Sequence, residues 1–225
     1  MLKENISTFD FFNHLISGFL LLFLLAGPAQ TESAGAGFAG FTSSVPVQLV
    51  LVFACALVCG HLLTEFSYWS IQVLCIRRLL GSPDQHALNP DSVPALSRVF
   101  GFYYRKLSND SRKALEQAAR RCKMKIEQPG FLSHAYFTVR QSGVANQLDI
   151  FQNNYVFSRN LLLLVPLAVL QYGSLAAGAM GWPAVIIVAL TLEILLFVRL
   201  LRFLREHFNE VVGLYSRVAR PVTAA

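Results

Sequence analysis

The chain has 225 residues, of which 54 % are hydrophobic and only 14 % charged, against roughly 45–50 % and 25 % for an ordinary soluble domain. Its apolar residues cluster in runs and are not spread at period 2 or 3.6 through one core, which excludes an ordinary soluble globule and reads as a membrane protein. The net charge is +6, and the four cysteines (Cys55, Cys59, Cys75, Cys122) form no CxxC pair, which argues against a disulfide framework or a zinc site.

In chain order, Ser7 or Thr8 is placed to cap a helix that starts at Phe9. The apolar run from Phe9 to Gly27 is 19 residues long, close to the ~20 that cross a hydrocarbon core. A secretory signal peptide is the alternative reading, because Leu20 to Ala26 leads into Gly27-Pro28-Ala29, but Lys3 is offset by Glu4 and Asp10. Residues 28–44 are small and free of Lys and Arg. Ser44 and Pro46 then open a second run, from Val45 to about Trp69, whose far end carries Phe66, Tyr68 and Trp69 ahead of Arg77-Arg78. The third run is Leu161 to Ala179 and the fourth Trp182 to about Phe203; only Gly178 to Pro183 lies between them, so they form a hairpin.

Gln147 to Leu170 connects a soluble region to the membrane without any turn signal. Phe151, Tyr155, Ser158 and Leu162 fall on one face at helical spacing, and Arg159 follows in the same turn, so the segment reads as a continuous coupling helix. The expected fold is all-α: an integral membrane four-helix bundle with a cytoplasmic helical module between membrane helices 2 and 3. The expected divisions are an N-terminal membrane hairpin (1–75), a basic helical module (76–146), the connecting helix with the second hairpin (147–207), and a cytoplasmic tail (208–225).

Charge placement gives the topology. From Arg77 to Arg159 there are nine Arg and four Lys, whereas the two loops on the opposite side carry neither. The positive-inside rule then places that segment and both termini in the cytoplasm, and the protein in the inner membrane. Within the segment, Asp91 would cap a helix over Ser92–Leu107 and Asn109-Asp110-Ser111 a second from Arg112 to Gln128, ended by Pro129-Gly130; a third spans Phe131 to Gln141 before Ser142-Gly143.

Candidate site residues fall into three groups. Ionisable side chains inside apolar runs cost roughly 2.5 kcal/mol or more unless paired or hydrated. His61 and Glu65 sit one turn apart, and depth counting sets them beside Glu193 and Arg199, which predicts an intramembrane polar seam, either a static set of pairs or a water- or ion-accessible path. The basic patch Arg98, Arg105, Lys106, Arg112, Lys113, Arg120, Arg121, Lys123 and Lys125 is interleaved with Phe100, Phe102, Tyr103 and Tyr104. It would suit anionic lipid, an acidic protein partner, or stacked nucleic-acid bases. Ala56/Gly60 and Gly173/Ala177 are small-xxx-small pairs, for packing within the chain or between copies.

Enzymatic motifs are sparse: there is no P-loop, GxSxG or HExxH, and nothing calls for a cofactor or metal. Arg202 and His207, spaced Arg-x4-His, resemble the signature of HEPN ribonucleases, which would imply RNA cleavage between protomers. The four-run plan, together with Phe151-Gln-Asn-Asn-Tyr155-Val-Phe157-Ser-Arg159-Asn160 at the membrane boundary, resembles small bacterial membrane proteins of phage-defence and CRISPR-accessory operons. That resemblance implies a homo-oligomer whose cytoplasmic part, or a cytosolic protein partner, controls membrane integrity. The expected function is thus a non-enzymatic membrane effector or sensor that forms or gates a pore. A membrane-tethered ribonuclease and a small transporter or channel subunit are the alternatives.

Overall fold

The apolar runs fold as helices because, in hydrocarbon, only a helix satisfies every backbone group within its own segment. A computed structural model describes residues 8–26, 45–81, 87–88, 99–126, 128, 130–143 and 146–219. Its helices are α1 (Thr8–Ala26), α2 (Val45–Ser67), α3 (Asn109–Arg121), α4 (Phe131–Gln141), α5 (Asn146–Met180) and α6 (Trp182–Val218). A π-helical run, Tyr68–Leu80, continues α2 directly. Among the described residues there is no strand. Three stretches are long and apolar enough to cross a membrane, Leu49–Leu80, Leu148–Met180 and Trp182–Val218, and Phe11–Ala26 is a shorter apolar helix. Their large apolar side chains face outward, with Leu170 at 84 % exposure and Val50 at 68 %. Such a surface belongs in lipid and not in water.

The chain divides into two units, one of Met1–Gln72 with Tyr155–Leu200 and one of Val73–Asn154 with Leu201–Ala225. In the first, α1 and α2 meet backbone to backbone. A Cβ on Gly18 would lie 1.7 Å from the Ala56 carbonyl oxygen, and one on Gly60 would lie 1.9 Å from that of His14. The Ala56/Gly60 pair is thus occupied by α1 of the same chain. At the other end of this unit Trp182 covers Gly173, its ring 3.3 Å from where a Cβ on that glycine would stand, and closes the α5–α6 hairpin.

The second unit has a water-soluble style of core. Leu115, Ala118 and Ala119 of α3 and Phe131, Ala135 and Val139 of α4 are buried with Leu148 of α5. The last turns of α6 supply Phe208, Val211, Val212 and Tyr215, an i, i+3, i+4, i+7 stripe. Tyr215 is fully buried, with its ring edge-on to Phe131 at 5.5 Å.

Several expectations change. Residues 208–218, expected as a tail, are helical and central to this core. Residues 99–107, expected to end a helix, form turns and irregular chain. Tyr103 and Tyr104 hold that stretch by donating to the carbonyls of Gly81 (2.8 Å) and Leu80 (3.0 Å), which the end of the π-helical run leaves open. Burial pushes the Tyr104 phenol up, so it stays a protonated donor. The helix expected to reach Gln128 stops at Arg121 in a Schellman turn: Met124 N–H donates to Ala119 and Lys123 N–H to Arg120. Ser7, residues 28–44, the Asp91 cap, residues 92–98 and Pro129 lie outside the described residues.

That turn places Lys123 at φ 56°, a left-handed conformation, which costs a non-glycine residue about 1 kcal/mol. Lys123→Gly is expected to stabilise the second unit by roughly 0.5–1 kcal/mol, read as a higher thermal midpoint in detergent.

Candidate functional site

The described residues hold one densely bonded polar node, and Arg159 is its centre. The face Tyr155, Ser158, Leu162 of α5 is buried, and Arg159 and Asn160 go inside with it at 3 % and 0 % exposure. Arg159 donates from Nε to Ser67 Oγ (2.9 Å), from Nη1 to Gln72 Oε1 (2.7 Å) and from Nη2 to the Thr64 carbonyl (3.0 Å). The rings of Tyr68 and Tyr155 each lie 5.5 Å from its guanidinium carbon. The planar fork is held on three edges by neutral acceptors and flanked by aromatic rings, a geometry open to arginine and closed to lysine.

Asn160 extends the node to a third helix. Its Nδ2 donates to Thr64 Oγ1 (2.9 Å) and Ser17 Oγ (3.4 Å), while Ser67 Oγ donates to its Oδ1 (2.7 Å). Thr64 Oγ1 also shares a hydrogen bond with His14 Nδ1 at 3.1 Å. Side chains of α1, α2 and α5 therefore meet at one place. Among the described residues no carboxylate is hydrogen-bonded to Arg159. A buried cation held by neutral dipoles is a marker of function more than of stability. It ties α5 to α2 and its π-helical continuation, and Asn160 beside it adds α1.

The expected seam takes a different form. His61 stacks on His14, ring centroids 4.0 Å apart. Glu65 is exposed and Glu193 half-buried, and His61, Glu65 and Glu193 share no hydrogen bond, ion pair or ring contact with one another among the described residues. Arg199 is exposed on α6. The hydrogen bonds around Arg159 are carried instead by neutral Ser17, Thr64, Ser67, Gln72 and Asn160. These were invisible to a search for ionisable groups.

Of the basic patch, Arg105, Lys106, Lys113, Arg120, Arg121, Lys123 and Lys125 are exposed, Arg112 pairs with Glu116 at 3.1 Å, and Arg98 lies outside the described residues. Tyr103 and Tyr104 are buried and bonded, so they offer no face for a base to stack on. Phe151 is half-buried. Arg202 lies over the Phe102 ring at 5.7 Å, and His207 packs beside Tyr136, ring centroids 6.0 Å apart. Five residues of helix turn the two about 140° apart, so one chain does not aim both at a common substrate.

Comparison with protein-family models, with curated proteins and with solved structures finds no match to this chain.

Proposed function

We propose that this chain is an integral inner-membrane effector or sensor, with both termini cytoplasmic and α1 as a fourth membrane helix. It works as a homo-oligomer in which the unit built on α3 and α4 receives a cytosolic signal and the bundle answers by opening a path across the membrane. The resemblance to phage-defence membrane proteins supports that setting. The observation that carries the reading is α5. It is one helix from Asn146 to Met180 and belongs to both units, and Arg159 and Asn160 enter the polar node within two turns of the division at Asn154/Tyr155. A rotation of α5 about its axis would have to break or remake that node.

The test is dye release from liposomes carrying the purified protein, together with its mass in detergent. Asn154→Pro interrupts α5 by removing a backbone bond in its interior, at a local cost of about 3 kcal/mol. The expected result is a defined oligomer whose release rate exceeds that of protein-free vesicles and changes severalfold in Asn154→Pro while the mass is retained. Tight vesicles, or release indifferent to the break, would remove the coupling reading and leave a membrane anchor.

A further inference from the structure

The second unit contains an open cavity of about 890 Å³. Its walls come from the segment 102–114 and from residues 202–217 of α6. Arg205 lines it and is itself only 7 % exposed. Its Nη2 donates to the Arg105 carbonyl, its guanidinium carbon lies 5.2 Å from the Phe208 ring centre, and its buried Nη1 has no hydrogen-bond partner. Among the described residues no carboxylate comes within ion-pair distance of it. A buried, half-satisfied guanidinium is a group whose partner is missing.

The surroundings state the sign of that partner. Arg105, Lys106, Arg202 and Arg217 also line the cavity, against only two carboxylates, Asp110 and Glu206. Helix α3 begins on the same wall: Ser108 caps it by accepting from Ser111 N–H at 3.1 Å, and both serines line the cavity. The first amides of a helix carry partial positive charge, of which Asp110 in that turn offsets a part. Five cations, two serine hydroxyls and a helix start converge on a space within the range of small-molecule sites.

We propose that this cavity binds a phosphate group, carried by a soluble phosphate ester or by a phospholipid head group, with Arg205 as the buried anchor. The exposed cations on the rim draw the anion in, and the unpartnered Nη1 of Arg205 then donates to one of its oxygens. The site stands whether or not the chain opens a membrane path.

The full chain in phosphatidylcholine nanodiscs is titrated with sodium phosphate against sodium chloride at matched ionic strength, and compared with nanodiscs containing phosphatidic acid, reading the thermal midpoint. Arg205→Met and Arg217→Gln are run beside the wild type. The midpoint is expected to rise in wild type, and the phosphate or phosphatidic acid needed for half the rise to increase at least roughly tenfold in both variants. Without ligand, Arg205→Met should melt no lower than wild type, because it removes a buried unpaired charge. A rise with inorganic phosphate assigns a soluble ligand; a rise only with phosphatidic acid assigns a lipid. No rise in either medium, or the same rise in all three proteins, would overturn the proposal.

Discussion

Arg159→Leu is expected to be the most damaging single side-chain truncation in the first unit, lowering its stability by about 3–5 kcal/mol. The guanidinium donates to Ser67, Gln72 and the Thr64 carbonyl, and its removal leaves all three acceptors without that donor, Ser67 fully buried. Each hydrogen bond to a charged group is worth roughly 1.5–3 kcal/mol. Release of the buried charge returns part of that sum, which is why the net figure lies below three such bonds. Lysine is not a rescue, because a point ammonium cannot reach three separated acceptors in one plane. Arg159→Lys should fall between wild type and leucine. Thermal unfolding in detergent, followed by near-ultraviolet circular dichroism from Tyr68, Tyr155 and Trp69, reads the loss. A leucine variant as stable as wild type would mean that the polar node is incidental and that apolar packing alone joins α2 to α5.

The same node shows which parts of the structure were legible in the sequence. Helix α5 was legible because no turn signal parts its polar start at Gln147 from the apolar run to Leu170, even with Pro166 inside the helix, and α4 because Pro129-Gly130 and Ser142-Gly143 bracket it. The membrane runs were legible because hydrocarbon demands long apolar stretches. Arg159 was legible as a residue of the coupling helix but not as a buried one: it was also counted among the positive charges of the loop, and it is only 3 % exposed. Its partners lie 87 to 95 residues away along the chain, and no local period reports a pairing at that separation. The close of α6 was hidden differently. Arg205, Glu206, His207, Glu210 and Arg217 give residues 205–217 the look of a solvated tail, and their density masks the Phe208, Val211, Val212, Tyr215 stripe that the second unit buries. The π-helical run after Ser67 has no sequence signature of its own, yet it is the element that brings Gln72 to Arg159.

Alanine at Gly18 or Gly60 should be as severe as the loss of Arg159, and the same change elsewhere should have the opposite sign. In a helix interior Gly→Ala is ordinarily favourable by up to about 1 kcal/mol, since it removes backbone freedom from the unfolded chain. Gly178 in α5 and Gly213 in α6 have nothing within 4 Å of an added Cβ, so alanine there should raise the thermal midpoint slightly. At Gly60 the Cβ would stand 1.9 Å from the carbonyl oxygen of His14, and at Gly18 1.7 Å from that of Ala56. The obstacle in both cases is backbone, which cannot swing aside as a side chain can. The helices must separate by more than about 1 Å, and overpacking of this kind costs roughly 1–3 kcal/mol before any other contact is lost. Separation also pulls Ser17 from Asn160, which already spans 3.4 Å, and His14 from Thr64 and His61. The expected total is about 3 kcal/mol or more for either glycine. Melting the four alanine variants side by side in one detergent tests this directly: two should fall and two should rise. If all four rise, α1 does not lie against α2, and the three-helix polar node loses its third member.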